Sequence, residues 1–323
     1  AGRRELRADS QAQLGHEHAR EQSRATEDVI LRRVASSYLA VVNTDRRVEV
    51  ERRNIELADK RLAQAQAFYE AGEVTRVDVL RAETARKAAQ RLLAAAEQQR
   101  EHAAAQLRTD LDLDGNIEVA APEHDLPPLP SENDLVARAT SERPDVDVAE
   151  NNVRIAELEV QKQRGYWLPI VTFDGGYIQQ KSPFPAASYS YGALRFTVPI
   201  FQSGEVIARV AGAKSREKQA ELQLEETKLT AREDVRRALA DLESAATGLQ
   251  LATEQLEAAQ AEYEQAFELY RAQEATSLDV AASETSLADA RRAVAEETLN
   301  RDLAELRVWH AAGAMKEAVG VTK

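Results

Sequence analysis

Residues 69–84 read YEAGEVTRVDVLRAET, and 201 positions later residues 270–285 read YRAQEATSLDVAASET. Aligned without a gap, 64–91 and 265–292 share 12 of 28 residues, among them Tyr69/Tyr270, Thr75/Thr276, Asp78/Asp279, Val79/Val280 and Thr84/Thr285. An internal repeat constrains architecture before any single element does, and a period this long lies far beyond the roughly 20–50 residues of a solenoid unit. It marks a duplicated half-protein. The chain works with two pseudo-equivalent pieces.

What fills those pieces is helix. Charged residues make up 30% of the chain and aromatics 5%, with Ala, Glu, Leu, Gln and Arg dominant, which is the profile of long or coiled helices. Such a chain spreads its apolar surface along stripes. The net charge of −13 opposes a nucleic-acid partner, which needs a basic face, and adhesion to an anionic lipid surface. It leaves bilayer insertion open. With no cysteine there is no disulfide, thiolate metal site or cysteine nucleophile. No run of 18 or more apolar residues is present, so no spanning helix is expected. The sequence opens on Ala1 without an initiator Met and is expected to be a processed or truncated piece, so a missing signal peptide says nothing of compartment.

From 5 to 69 there is no proline, and Val41, Val48, Ile55, Leu62 and Tyr69 recur at seven-residue steps. The positions half a heptad away, Asp45, Arg52 and Asp59, are polar, which predicts a narrow seam. Ala71-Gly72 breaks this helix, and a second one is expected over 75–111 with Thr75 as N-cap and Asp78 at its positive end. In the second copy the positions 239, 242, 246, 249, 253, 256, 260, 263, 267 and 270 step by three and four, and eight of the ten are apolar. That is a coiled-coil seam, predicting one helix over 205–271, roughly 100 Å long at 1.5 Å per residue, with a return helix to about 312.

The stretch between the copies is mixed. Gly115, Pro122, Pro127, Pro128 and Pro130 make 113–130 a loop, a short helix near 132–140 follows, and Ser141-Glu-Arg-Pro144-Asp reads as a helix start with proline in the first turn. In LPIVTFDGGYI, Val171, Phe173 and Tyr177 share a face opposite Thr172, Asp174 and Gly176. In YGALRFTVPIF, Leu194, Phe196, Val198 and Ile200 oppose Ala193, Arg195 and Thr197. Period-two alternation over about ten residues, closed by a turn with Pro183 and Pro185, makes a hairpin. Its length and its single apolar face suit a transmembrane barrel strand, or equally a surface hairpin of a soluble domain.

Four strings, in this order and spacing, carry a family resemblance: the tip sequence with its second copy, SERPDVDVAENNVRIAELEV, GYWLPIVTFDGGY, and FTVPIFQSGEVIARVAGAKSREKQAELQ. Together they resemble the TolC-type outer-membrane efflux proteins over essentially the whole chain. The resemblance implies a mostly α fold. Long antiparallel coiled-coil helices form an α-barrel tunnel, a β-hairpin contributes to a transmembrane β-barrel, and three chains assemble as a homotrimer. It implies a passive duct in the outer membrane of a Gram-negative bacterium, extending into the periplasm and contacting outer-membrane lipid. Substrates would come from an inner-membrane transporter through a periplasmic membrane-fusion adaptor, with no catalysis and no cofactor. On this reading 1–112 holds the first-repeat helices with a periplasmic tip near 70–76, and 113–144 the equatorial loop and short helix. Residues 145–167 form the helix leading to the membrane and 168–202 the barrel hairpin. Residues 203–313 hold the second-repeat helices with a tip near 272–277, and 314–323 a tail. Family members carry two strand pairs per protomer and this chain one. Ala1-Gly2-Arg3-Arg4 aligns with Ser203-Gly204-Glu205, so a first helix and hairpin are expected to precede Ala1.

The resemblance places adaptor docking on Tyr69, Gly72, Thr75, Asp78, Val79, Leu80, Tyr270, Thr276, Asp279 and Val280, and lipid contact on Val171, Phe173, Tyr177, Leu194, Phe196 and Val198. Gly72 serves equally to close a helix end. Gln273 and Ala281 replace Gly72 and Leu80 in the second copy, so the two tips are not interchangeable. Asp279 falls where the family places an acidic ring at the tunnel entrance; a plain first-turn helix acid is the equal alternative. Arg195 and Asp174 either line a barrel interior or pair across the strands. His16 and His18 cannot share a helix face, His102, His124 and His310 have no ligands at metal spacing, and no catalytic motif is present. The rival reading is a soluble coiled-coil scaffold or adaptor that buries the hairpin face.

Overall fold

The computed structural model describes residues 2–115, 117, 119, 126–179, 188–198, 200, 203–272 and 274–320. The expected hairpin turn with Pro183 and Pro185, together with Pro122, His124 and Gln273, lies outside the described residues. The elements run α1 (Gly2–Glu70), α2 (Arg76–Leu111), α3 (Glu132–Ser141), α4 (Pro144–Arg164), a single 3₁₀ turn (Gly165–Trp167), β1 (Ile170–Gln179), β2 (Ser188–Thr197), α5 (Glu205–Arg271), α6 (Ser277–Ala311) and α7 (Met315–Ala318). Local chemistry sets the ends. Pro144 occupies the first turn of α4, and α2 closes on Asp112 in the left-handed conformation, φ 52°, whose N–H bonds the Arg108 and Thr109 carbonyls.

The seam of α5 differs from the expected one at three of its ten positions. Leu242, Leu249, Leu256, Tyr263 and Tyr270 are half-buried as the spacing requires, but Ala246, Thr253 and Gln260 are exposed. The second buried row lies one residue back, at Ala231, Ala238, Ala245, Ala252, Ala259 and Ala266. Side-chain size explains the shift. An alanine row lets a neighbouring helix approach closely, and Leu239 and Phe267 beside it are half-buried as the spacing requires. The same correction applies to α1. Its seam is not narrow, because Glu51, Ala58 and Ala65 are buried half a heptad from Val41 and Val48. Tyr69 is left 46% exposed while Phe68, one residue earlier, packs 5.8 Å from the Tyr270 ring.

The chain divides into two compact units. One comprises Ala1–Thr26 and Ala137–Arg232. In it Arg24 pairs with Asp147 of α4 at 3.8 Å, Lys228 of α5 with Glu150 at 2.7 Å, and the Arg209 guanidinium lies 5.3 Å from the Tyr166 ring centroid. This unit carries the hairpin. Its antiparallel register sets Val171 opposite Phe196, Phe173 opposite Leu194 and Gly175 opposite Gly192 on one face, with Thr172 opposite Arg195 and Asp174 opposite Ala193 on the other. A Cβ added to Gly175 would meet the Phe173 ring at 3.3 Å and one on Gly192 would meet it at 3.7 Å, so one aromatic covers both glycines. Among the described residues Asp174 and Arg195 form no ion pair, so the cross-strand alternative is not realised.

The other unit comprises Glu27–Val136 and Glu233–Lys323. Here α1 takes α2 on one side, through Arg86–Asp59 and Arg100–Asp45, and α6 on the other, through Arg61–Glu284 and Arg292–Glu51. Leu287 and Ala290 of α6 join Ala259 of α5 in a buried cluster flanked by Leu57, Leu256 and Tyr263. Farther along α6, Leu306, Val308 and Trp309 are buried, as is Met315 of α7.

Candidate docking and gating site at the helix tips

The two repeat copies meet at their tips. Each return helix begins with the same capping box, in which a threonine N-cap and an aspartate three residues on satisfy each other's free backbone groups. Asp78 Oδ2 accepts the Thr75 N–H at 3.0 Å and its hydroxyl at 2.7 Å. Asp279 Oδ2 accepts the Thr276 N–H at 2.8 Å and hydroxyl at 2.7 Å. The remaining oxygens diverge. Asp78 Oδ1 accepts the hydroxyl of Ser277 from the other copy, and Arg81 stands 3.6 Å away. Asp279 is exposed, and its Oδ1 has no hydrogen bond among the described residues.

The Ser277 hydroxyl and then the Thr75 cap hold the Asp78 carboxyl below the usual carboxylate range, and the Thr276 cap does the same for Asp279. Burial, and the Asp78 charge after it, push the Tyr270 phenol up. Arg61 completes the junction by donating to Glu284 and, at 2.8 Å, to the Ser277 carbonyl. Between the tips lies a groove of about 460 Å³ lined by Phe68, Thr75, Asp78, Tyr270, Thr276 and Leu278.

Of the ten expected docking residues, Tyr69 and Leu80 are exposed, Val79 and Tyr270 are half-buried, and Thr75, Thr276, Asp78 and Asp279 build the caps. Val280 is only 2% exposed; it seats the tip and offers no surface. Gly72 adopts φ +77° with nothing within 4 Å of an added Cβ, so its conformation and not its space demands glycine. Sequence reasoning missed Phe68, Arg61 and Ser277. Only Ser277 left a signal, a short hydroxyl at the helix start where the first copy has Arg76.

Away from the tips, the expected lipid-facing residues share one hairpin face or extend it and are open, from Val171 at 40% to Phe173 at 75% exposed. No helix among the described residues is long and apolar enough to cross a membrane, and no group of acids and histidines there gathers to hold a metal ion.

Paired helical hairpins joined to a strand pair with an open apolar face define a subunit of an outer-membrane channel of the tunnel-and-barrel type. A family model, Outer membrane efflux protein, matches residues 135–314. The chain belongs to that family, whose members are channels of the Gram-negative outer membrane. Comparison by sequence with curated proteins finds no match. Solved structures share the fold: CusC at 20% identity with TM-score 0.83, covering 96% of this chain and 74% of that one. The MtrE outer membrane channel of Neisseria gonorrhoeae in its open state follows at 20% and 0.81, covering 97% and 72%. VceC of Vibrio cholerae stands at 18% and 0.76, covering 96% and 76%.

Proposed function

We propose that this outer-membrane efflux channel is the passive duct of a tripartite efflux or type I secretion system. Three copies form the conduit, an adaptor's helical hairpin docks at the tips, and an inner-membrane transporter supplies the energy. The observation that carries the reading is the exposed hairpin face. Val171, Phe173, Tyr177, Leu194, Phe196 and Val198 lie open to a bilayer, whereas a scaffold protein would bury them. Trp167, 58% exposed just before β1, suits the aromatic girdle of a membrane interface. At the tips, the groove and the exposed Tyr69 and Leu80, one and two residues from its lining residues Phe68 and Asp78 in sequence, serve as apolar anchors for a helix laid between hairpins. Asp279 is the gate residue, its exposed carboxylate brought with two others to the tunnel entrance. The polar hairpin face with Asp174 and Arg195 lines the barrel interior.

Fractionation and cross-linking test this together. The full-length protein is expected in outer membranes as a trimer, and Gly72→Pro or Val79→Asp should abolish adaptor cross-linking without loss of that trimer. Recovery as a detergent-free soluble monomer would refute the duct. Undiminished cross-linking by both variants would refute the docking site.

A further inference from the structure

The second face of the hairpin is not uniformly polar. By the register, Asp174, Gly176 and Ile178 of β1 share the side away from Phe173, opposite Ala193, Tyr191 and Tyr189 of β2. Two phenols, each 46% exposed, therefore stand on the face that carries Asp174 and Arg195. They lie on the half of the hairpin farther from the helices. Glycine explains how one of them is held. A Cβ added to Gly176 would meet Tyr191 Cε1 at 2.9 Å and its hydroxyl at 3.2 Å, so the ring fills the space a side chain would need. A glycine inside a strand costs stability and marks a close approach. Here the approach is made by a ring from the opposite strand, which is seated against the sheet before any ligand arrives.

The charged groups beside that ring are open. Asp174 is one rung from Gly176 on the same strand and diagonal to Tyr191, a separation that aromatic and long side chains bridge. Among the described residues its carboxylate has no hydrogen bond and no ion pair. Ala193, its direct partner, is too short to cover it. Arg195 stands one rung further on and opposes a cation there, which puts the favourable place on the tyrosine side of Asp174. A seated aromatic ring beside an uncompensated carboxylate is the chemistry that holds an organic cation. The ring supplies its negative π-face and the carboxylate meets the charge.

We propose that this face of the hairpin is a cargo subsite for planar organic cations, with the ligand stacked on Tyr191 and its charge met by Asp174. Tyr189, next on the same side of β2, extends the aromatic surface. The proposal rests on the duct reading, which turns this face to the barrel interior. One seated ring and one carboxylate per copy make a weak site, which suits cargo that has to leave again.

The test is block of single open channels by ethidium, a planar aromatic cation, using the full-length protein in planar bilayers. Each variant is first checked for trimer mass. Wild-type channels are expected to block reversibly, and the planar anion naphthalenesulfonate to block at least about fivefold more weakly. Asp174→Asn and Tyr191→Leu should each raise the half-blocking ethidium concentration by about fivefold, whereas Tyr191→Phe keeps the ring and should stay near wild type. Gly176→Ala displaces the ring without deleting it and should weaken the block as well. Arg195→Gln should strengthen it. Conducting channels whose ethidium block is the same in wild type, Asp174→Asn and Tyr191→Leu overturn the subsite and leave the duct standing. A loss in Asp174→Asn with none in Tyr191→Leu or Gly176→Ala reduces the site to a surface charge and also overturns it. A wild-type protein that gives neither trimer nor conductance overturns the duct reading itself.

Discussion

Glu51→Ala is the substitution that most directly probes how the two repeat copies are held together. Glu51 is 1% exposed at the α1–α6 contact, accepting Arg292 Nε at 2.7 Å and Asn54 Nδ2 at 3.2 Å. Asn54 in turn accepts Arg291 at 3.2 Å. Removing one partner of a buried pair costs about 3–5 kcal/mol, because the other charge is left desolvated. Arg292 keeps Asp289 at 2.6 Å, which places this case near the lower end, and the orphaned Asn54 amide adds about 1 kcal/mol. A loss of about 3–4 kcal/mol corresponds to a fall of roughly 5 °C or more in the thermal midpoint for a chain of this size. Helix loss followed by circular dichroism in detergent, at fixed protein concentration, measures it. The companion Glu51→Leu/Arg292→Leu removes both charges and should recover most of the loss. A midpoint within 1 °C of wild type for Glu51→Ala, or a double variant worse than the single, would refute the argument that this pair closes the contact.

Three further outcomes follow from the same geometry. Ala252→Leu overfills the α5 seam and should cost about 1–3 kcal/mol, whereas Thr253→Leu, one residue on but exposed, should stay within about 0.5 kcal/mol; equal effects would put the seam elsewhere. Asp279→Asn should reduce the cation preference of single open channels, and unchanged reversal potentials would argue against the gate. Asp78 is held below its ordinary value, so its contribution is complete above about pH 4 and disappears as pH falls through the lowered folded value. Carboxyl NMR titration should show Ser277→Ala moving the Asp78 midpoint upward, and a midpoint that does not move would remove Ser277 as its chief cause.

Much of this fold was legible because helices of this length advertise themselves. The α5 range 205–271 followed from a steady three-four spacing, and the hairpin from strict alternation that the cross-strand register then repeats. The 201-residue repeat and the Ala71-Gly72 break marked the tips, and the family resemblance supplied only the expectation of docking there. What stayed hidden was which row is buried, since Ala245 and Ala252 do not stand out in sequence from Ala246 and Thr253 beside them, and only packing against a neighbouring helix separates them. The charged contacts were hidden for a different reason. Glu51, Arg61, Glu284 and Arg292 sit among 97 charged residues, and nothing local separates a glutamate facing water from one facing an arginine more than 200 positions away.

The alanine row of α5 has a consequence for alignment. A surface that repeats the same small residue every seven positions looks nearly identical to its neighbour after a slip of one heptad, and burying alanine costs no rotamer entropy in either alignment. Dispersion and apolar burial therefore hold such helices together while saying little about where along their length they stop sliding. That information has to come from groups that tolerate only one partner. The ion pairs Arg61–Glu284 and Arg292–Glu51, both from α6 to α1, are of this kind. A slip of one heptad would set Arg292 against Thr44 or Ala58 and Arg61 against Ser277 or Arg291. The stripes give adhesion, and a handful of charges gives the stop.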